Sequence, residues 1–175
     1  VLFRGIAEGL SLMQWLNEVI FPAEARNVNP DFSYWGTLLG CIAMAKSGTT
    51  TFADMYYFEE DVARAVDRVG LRAVLGQAII GFPAPDFKTP DAALLGAEAF
   101  IMKCRTHPRI VPSLAPHALY TTDLNVVRKA RELSKRYQVP LQLHAQESPW
   151  FPAGLSRPSS PPRRPAGPTG AVRRS

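Results

Sequence analysis

The apolar positions of this chain fall into two alternating kinds of pattern. Five stretches repeat apolar residues at three- and four-residue spacing, the period of a helix. SLMQWLNEVI (11–20) opens on a capping serine, and FSYWGTLLGCIAMAKSG (32–48) is apolar on most sides, with Gly48 placed to close it in a left-handed turn. EEDVARAVDRVG (59–70) starts with acids that suit the positive end of a helix and stops at Gly70. TPDAALLGAEAFIMKCRT (89–106) has Pro90 in its first turn, and TTDLNVVRKARELSKRYQ (121–138) has Thr122 as its cap and basic residues near its end. Between the helices lie short apolar runs at 49–55, 72–80, 109–115 and 139–145. They do not alternate cleanly between apolar and polar, which predicts strands covered on both faces in a parallel sheet.

Regular β/α alternation predicts a parallel α/β barrel. A complete (β/α)8 barrel takes about 250 residues, so four strands in residues 1–147 predict a partial barrel, roughly half of one. Residues 148–175 are different material: they hold seven of the 16 prolines with Arg, Ser, Gly and Ala, and nothing periodic. That composition predicts a disordered tail.

Charge sharpens the division. The net charge is +5, but the tail carries five arginines and no acid, leaving 15 basic and 15 acidic residues in 1–147. The body is therefore no nucleic-acid surface; only the tail has the charge to recruit nucleic acid or an anionic surface. Cys41 and Cys104, in apolar helical stretches, predict reduced core thiols and a cytoplasmic protein. No run of about 18 apolar residues predicts a membrane span. The opening VLFRGIAEGL lacks an initiator methionine and a signal-peptide pattern, as expected of sequence from the middle of a longer protein.

Parallel α/β folds bind ligands at the carboxyl ends of their strands, so the polar residues there carry the candidate chemistry. His144 is either a metal ligand or a histidine hydrogen-bonded in a pocket wall. Glu147, three residues on, is a proton shuttle or the first exposed acid after a strand. His117, after a proline, reads a ligand's ring nitrogen or caps the next turn. Asp54 binds, or fixes its loop through the backbone, and the second is the expectation. Gln77 lies in the second apolar run, and His107 reads as an ordinary surface residue. Phosphate-binding glycine loops, a Gly-x-Ser-x-Gly elbow and the His-x-Glu…Pro-Cys-x-x-Cys deaminase signature are all absent.

The stretch from VLFRGIAEGL to TTTFADMYYF, with LAPHALYT and LQLHAQE, resembles the amidohydrolase superfamily. The likeness is greatest to its methylthioadenosine/S-adenosylhomocysteine deaminase branch and chlorohydrolase-like relatives, and it covers residues 1 to about 147. The resemblance implies that His144 is a metal ligand and Glu147 the acid that passes a proton to the purine ring. It also implies that His117 contacts the purine, and that Trp15 and Glu24 belong to a W-L-(x)n-P-x-E pattern whose glutamate holds ribose hydroxyls. Without the resemblance, Trp15 reads as helix-face packing and Glu24 as an exposed loop acid. Gln77 lies near where some members use an arginine for the amino-acid carboxylate, which sets it apart from a strict S-adenosylhomocysteine site. The implied reaction is attack of a metal-bound hydroxide on C6 of an adenine nucleoside, with guanine or a triazine as alternative substrates.

The resemblance also implies one divalent metal, zinc or iron, in a complete member. The other family ligands, a His-x-His pair, a later histidine and an aspartate, have no match in 1–147. A chain with one imidazole of the set is expected to bind the metal weakly or not at all. The composition after 147 is that of a GC-rich gene read in a shifted frame. These features predict a truncated deaminase inactive by itself, against the alternative of a non-catalytic pseudo-enzyme or partner-binding module. Exposed barrel edges leave room for pairing with a second copy.

Overall fold

The computed structural model describes residues 1–145. The expectations for Glu147 and for 148–175 fall outside them.

Helical structure runs from Leu12 to Asn27, past the predicted end at 20: α1 (Leu12–Gln14), a π-helical stretch (Trp15–Ile20) and α2 (Phe21–Asn27). Ser11 caps the start as predicted, its side chain accepting from the Gln14 N–H. The wide turn has a local cause. Pro22 cannot donate to the carbonyl of Glu18, and its ring crowds that carbonyl, so the helix bonds i to i−5 there, with Phe21 N donating to Leu16 O. Glu24 consequently sits on a helix and is buried, not in an exposed loop.

The remaining elements follow the predicted order: α3 (Pro30–Lys46), β1 (Thr51–Tyr56), α4 (Glu59–Val69), β2 (Arg72–Ile79), α5 (Pro90–Cys104), β3 (Ile110–Pro116) and α6 (Leu124–Tyr137). Gly48 and Gly70 both take the left-handed conformation expected of them, with φ 84° and 86°. Thr122 does not cap α6: Asp123 does, accepting from Asn125 N, while the Thr122 hydroxyl is buried and donates to Ile79 O at 2.9 Å. The three strands form one parallel sheet in the order β1-β2-β3.

The fourth predicted strand, 139–145, is present only as two parallel bridges, Leu114 with Leu141 and Ala118 with His144. The bridged residues are four apart on one side and three on the other, so the register slips and no continuous ladder forms. Pro140 adds to this, since it has no N–H to donate; its carbonyl accepts from Leu114 N at 3.0 Å.

Helices cover one face of the sheet. Phe52, Ala73, Leu75 and Ile110 pack with Cys41, Val62, Val66 and Phe100. Ile79 and Leu114 pack with Ala97, Ile101, Val126 and Ala130. Leu75, Ile79 and Leu114 are fully buried, and each contributes about 1.5–3 kcal/mol by leaving water. Cys41 and Cys104 are buried and unpaired in this layer, and burial pushes the Cys41 thiol up to about 11.

The opposite face carries a polar crossing. Gln142 lies over Gly76, its amide donating both to Ser113 Oγ at 2.6 Å and to the backbone carbonyl of Asp54 at 3.1 Å. The Ser113 hydroxyl in turn donates to Leu75 O at 3.1 Å. Glycine is required beneath: a Cβ at 76 would stand 2.7 Å from Ser113 Oγ and from Ala115 Cβ, and 3.0 Å from Gln142 Nε2. Gly76→Ala is therefore expected to cost about 1–3 kcal/mol, the usual penalty of overpacking. Chemical denaturation of the purified chain measures it, and an unchanged midpoint would contradict the crossing.

Candidate active site

His117 and His144 meet at the carboxyl end of the sheet. His117 follows β3 directly, and its N–H donates to Ile79 O at 3.1 Å. His144 N donates to His117 O at 2.9 Å, bringing the two rings edge to face with centroids 4.9 Å apart. Tyr120 stands edge-on to His117 as well, at 6.2 Å. The Thr121 hydroxyl lies 2.8 Å from His117 Nδ1 and donates its one proton to Ala118 O at 3.2 Å. With that proton on Ala118 O, the hydroxyl oxygen can accept from Nδ1–H, the tautomer whose ring lone pair is on Nε2. A neutral imidazole held in this way can accept a hydrogen bond or bind a metal through Nε2.

Glu24 is the centre of a second group. Its carboxylate accepts from Tyr56 Oη on Oε1 at 3.0 Å and from Tyr57 Oη on Oε2 at 3.3 Å. Adjacent residues of a regular strand point to opposite faces, so both tyrosines reach one carboxylate only because β1 ends at Tyr56. Phe58 then takes a left-handed conformation, φ 56°, which is costly for a non-glycine residue. Asp86 offsets that cost: its Oδ2 accepts from Phe58 N at 3.0 Å and from Gln77 Nε2 at 2.7 Å, and its Oδ1 accepts from Phe87 N at 2.8 Å. Glu59, the first residue of α4, reaches back so that Oε1 accepts from Tyr56 N at 2.9 Å. Glu24 and Tyr57 line a cavity of about 410 Å³ with Phe21, Phe82 and Lys88.

The other candidates lie elsewhere. Asp54 pairs in register with Leu75 and is separated by one residue from Phe52, so its side chain is on the helix-covered face rather than with the histidines. Only its backbone carbonyl meets Gln142. Gln77 is buried on the same face as a support for Asp86. Trp15 is half-buried and donates from its indole to Ile6 O at 3.2 Å. His107 is half-buried rather than a plain surface residue, its Nδ1 accepting from Arg109 N at 3.2 Å.

Residues 2–153 match the amidohydrolase family. The chain belongs to that family. It is 48% identical over 146 residues to 5-methylthioadenosine/S-adenosylhomocysteine deaminase 1 of Syntrophus aciditrophicus, covering 83% of this chain and 33% of that protein. It is 46% identical over 149 residues to the 5'-deoxyadenosine deaminase of Methanocaldococcus jannaschii, covering 84% of this chain and 35% of that protein. Among solved structures, an adenosine deaminase from Xanthomonas campestris with bound zinc superposes with a TM-score of 0.81 at 34% identity, covering 85% of this chain and 34% of that one. The chain thus spans about a third of the length of the relatives it matches.

The zinc bound in the Xanthomonas campestris adenosine deaminase prompts a test of fit. Among the described residues no group of three or more His, Cys, Asp or Glu side chains could hold a metal ion. The His117–His144 pair supplies two imidazoles, and a zinc site takes at least three protein ligands. The described residues do not complete a metal site, and no chemical step is assigned to one. No helix among them is long and apolar enough to cross a membrane.

Several contributors in this amidohydrolase chain carry little or no mark in the sequence. Tyr56 and Tyr57 left one signal, two polar-tipped aromatics at a strand's end. Gln142 left another, a lone amide in an apolar run. Asp86 and Thr121 left none, since their roles depend on where distant loops meet.

Three of the carboxyls here share an electrostatic signature: Glu24, Asp54 and Glu59 are all pushed above the ordinary carboxylate range, burial being the largest cause in each. Burial disfavours the charged form, and for Glu59 the nearby Asp54 and Asp86 add to it against the Tyr56 N–H. Glu59 Oε2 has no hydrogen-bond partner among the described atoms. Burial, followed by the charge of Glu24, also raises the Tyr56 and Tyr57 hydroxyls, which stay protonated donors. A carboxyl whose folded pKa is raised stabilises fully below its unfolded value and loses that contribution as pH rises through the folded value. Thermal stability is therefore expected to fall as pH climbs from the ordinary carboxylate range toward neutrality, and Glu59→Gln to make the fall shallower. Melting curves recorded across that range check this; parallel pH profiles for parent and variant would contradict it.

Proposed function

We propose that this chain supplies the nucleoside-binding strand ends of a cytoplasmic, zinc-dependent deaminase that removes the C6 amino group of adenine nucleosides such as 5'-methylthioadenosine. His144 would be one ligand of the metal, and His117 a contact to the purine. Glu24, with Trp15 on the same helical segment, would face the sugar, and Glu147 would pass a proton to the purine ring. The junction of His117 and His144 carries the reading. A backbone hydrogen bond joins the two segments, and the Thr121 hydroxyl holds the His117 ring at Nδ1. The likeness to three adenine-nucleoside deaminases supports the same substrate class. The balanced charge of the body favours a small molecule over nucleic acid.

The relatives are about three times as long as the matched segment, so the activity is proposed for these residues together with the rest of a barrel. A chimera tests this: the matched residues of this chain replace their counterpart in the Syntrophus aciditrophicus protein. With zinc bound it is expected to release ammonia from 5'-methylthioadenosine, and Glu147→Gln to abolish release without changing metal content. A folded, zinc-loaded chimera that leaves the nucleoside intact would overturn the proposal.

A further inference from the structure

Glu24 is a buried carboxylate whose two oxygens are each engaged once, by different side chains. A carboxylate oxygen has two lone-pair sites, so one acceptor site remains on each, side by side. The group lines a cavity of about 410 Å³ with aromatic walls, Phe21 and Phe82, whose ring centroids are 5.2 Å apart. Under the proposed function this carboxylate faces the sugar, as the family resemblance implies, and two adjacent acceptor sites on it fit the two adjacent hydroxyls of a ribose. A carboxylate swinging about its own side chain would offer that pattern only part of the time; one pinned from both sides offers it before the ligand arrives, and pre-organisation of this kind lowers the cost of binding.

We propose that Tyr56 and Tyr57 are positioning residues that fix the Glu24 carboxylate to receive the vicinal hydroxyls of a ribose, and so set preference for ribonucleosides over 2'-deoxynucleosides. The inference rests on the reading of this chain as part of a nucleoside deaminase. Its basis is geometric. Tyr56 donates to Oε1 and Tyr57 to Oε2, and their rings, 4.9 Å apart, brace each other at 46°. The pair can converge because the left-handed turn at Phe58, held by Asp86, ends the strand between them and α4. Neither tyrosine needs to touch the ligand.

The test uses the same chimera, with steady-state kinetics on adenosine and 2'-deoxyadenosine. Tyr56→Phe and Tyr57→Phe keep the rings and remove one donor each. Each variant is expected to raise KM for adenosine by about 10-fold, the worth of one hydrogen bond to a charged group. The value of kcat should hold, and KM for 2'-deoxyadenosine should change much less, so that the preference between the two narrows. Glu24→Gln separates the two levels of the argument. If it leaves the preference unchanged, Glu24 does not read the sugar, and both that role and this inference fall. If it removes the preference while both tyrosine variants behave as the parent, the role of Glu24 stands and the positioning is overturned. Equal losses on both substrates in the tyrosine variants, or a loss confined to kcat, would show a merely structural contribution and overturn it too.

Discussion

The amide of Gln142 crosses the open face of the sheet above Gly76 and uses both of its protons, one on Ser113 Oγ and one on the carbonyl of Asp54. The segment that delivers His144 has no continuous ladder, because its register slips between its two bridges and Pro140 lacks a donor. What seats it is a pair of backbone bonds with Leu114, the bond from His144 to His117, and this side-chain crossing. The crossing works because position 76 has no Cβ and Ser113, fully buried, has its own proton committed to Leu75. A buried network of this kind is stabilising when every member is satisfied and costly when one is removed. The placement of His144 therefore depends on a glycine in one strand and a serine in the next.

The carboxyl end of β1 follows a different logic, in which charge is concentrated and then contained. Burial raises both Asp54 and Glu59, and the charges of Asp54 and Asp86 raise Glu59 further. Asp86 spends its oxygens on backbone donors and on Gln77, which holds Phe58 in an unfavourable conformation. That strained residue turns the chain sharply into α4 and lets two consecutive tyrosines face Glu24. Local strain sustained by surrounding bonds is frequent where a site must be held in one geometry.

Much of this was legible in the sequence. The helix and strand order followed from apolar periodicity, and His117 and His144 were placed together by the rule that strand ends carry ligands. The rule failed for Asp54 because it ignores which face a residue takes; pairing with Leu75 puts Asp54 beneath the helices. It failed for Gln77 for the same reason. The first helix runs past its expected end at 20 because a π-turn absorbs Pro22 and carries the helical path on to Asn27. Thr122 gives up the expected capping role to Asp123 because its hydroxyl is committed to Ile79 O, a contact the sequence does not show. In each case the missing information was a tertiary contact, which periodicity cannot carry.

Amide hydrogen exchange, read residue by residue in the parent chain and in Gln142→Leu, tests most directly whether the side-chain crossing seats the histidine segment. The account predicts that the His144 amide is protected in the parent and loses protection selectively in the variant, while β2 amides such as Leu75 and Gln77 keep theirs. A His144 amide whose protection is the same in both proteins, or one that exchanges at the rate of an open chain in the parent, would contradict it.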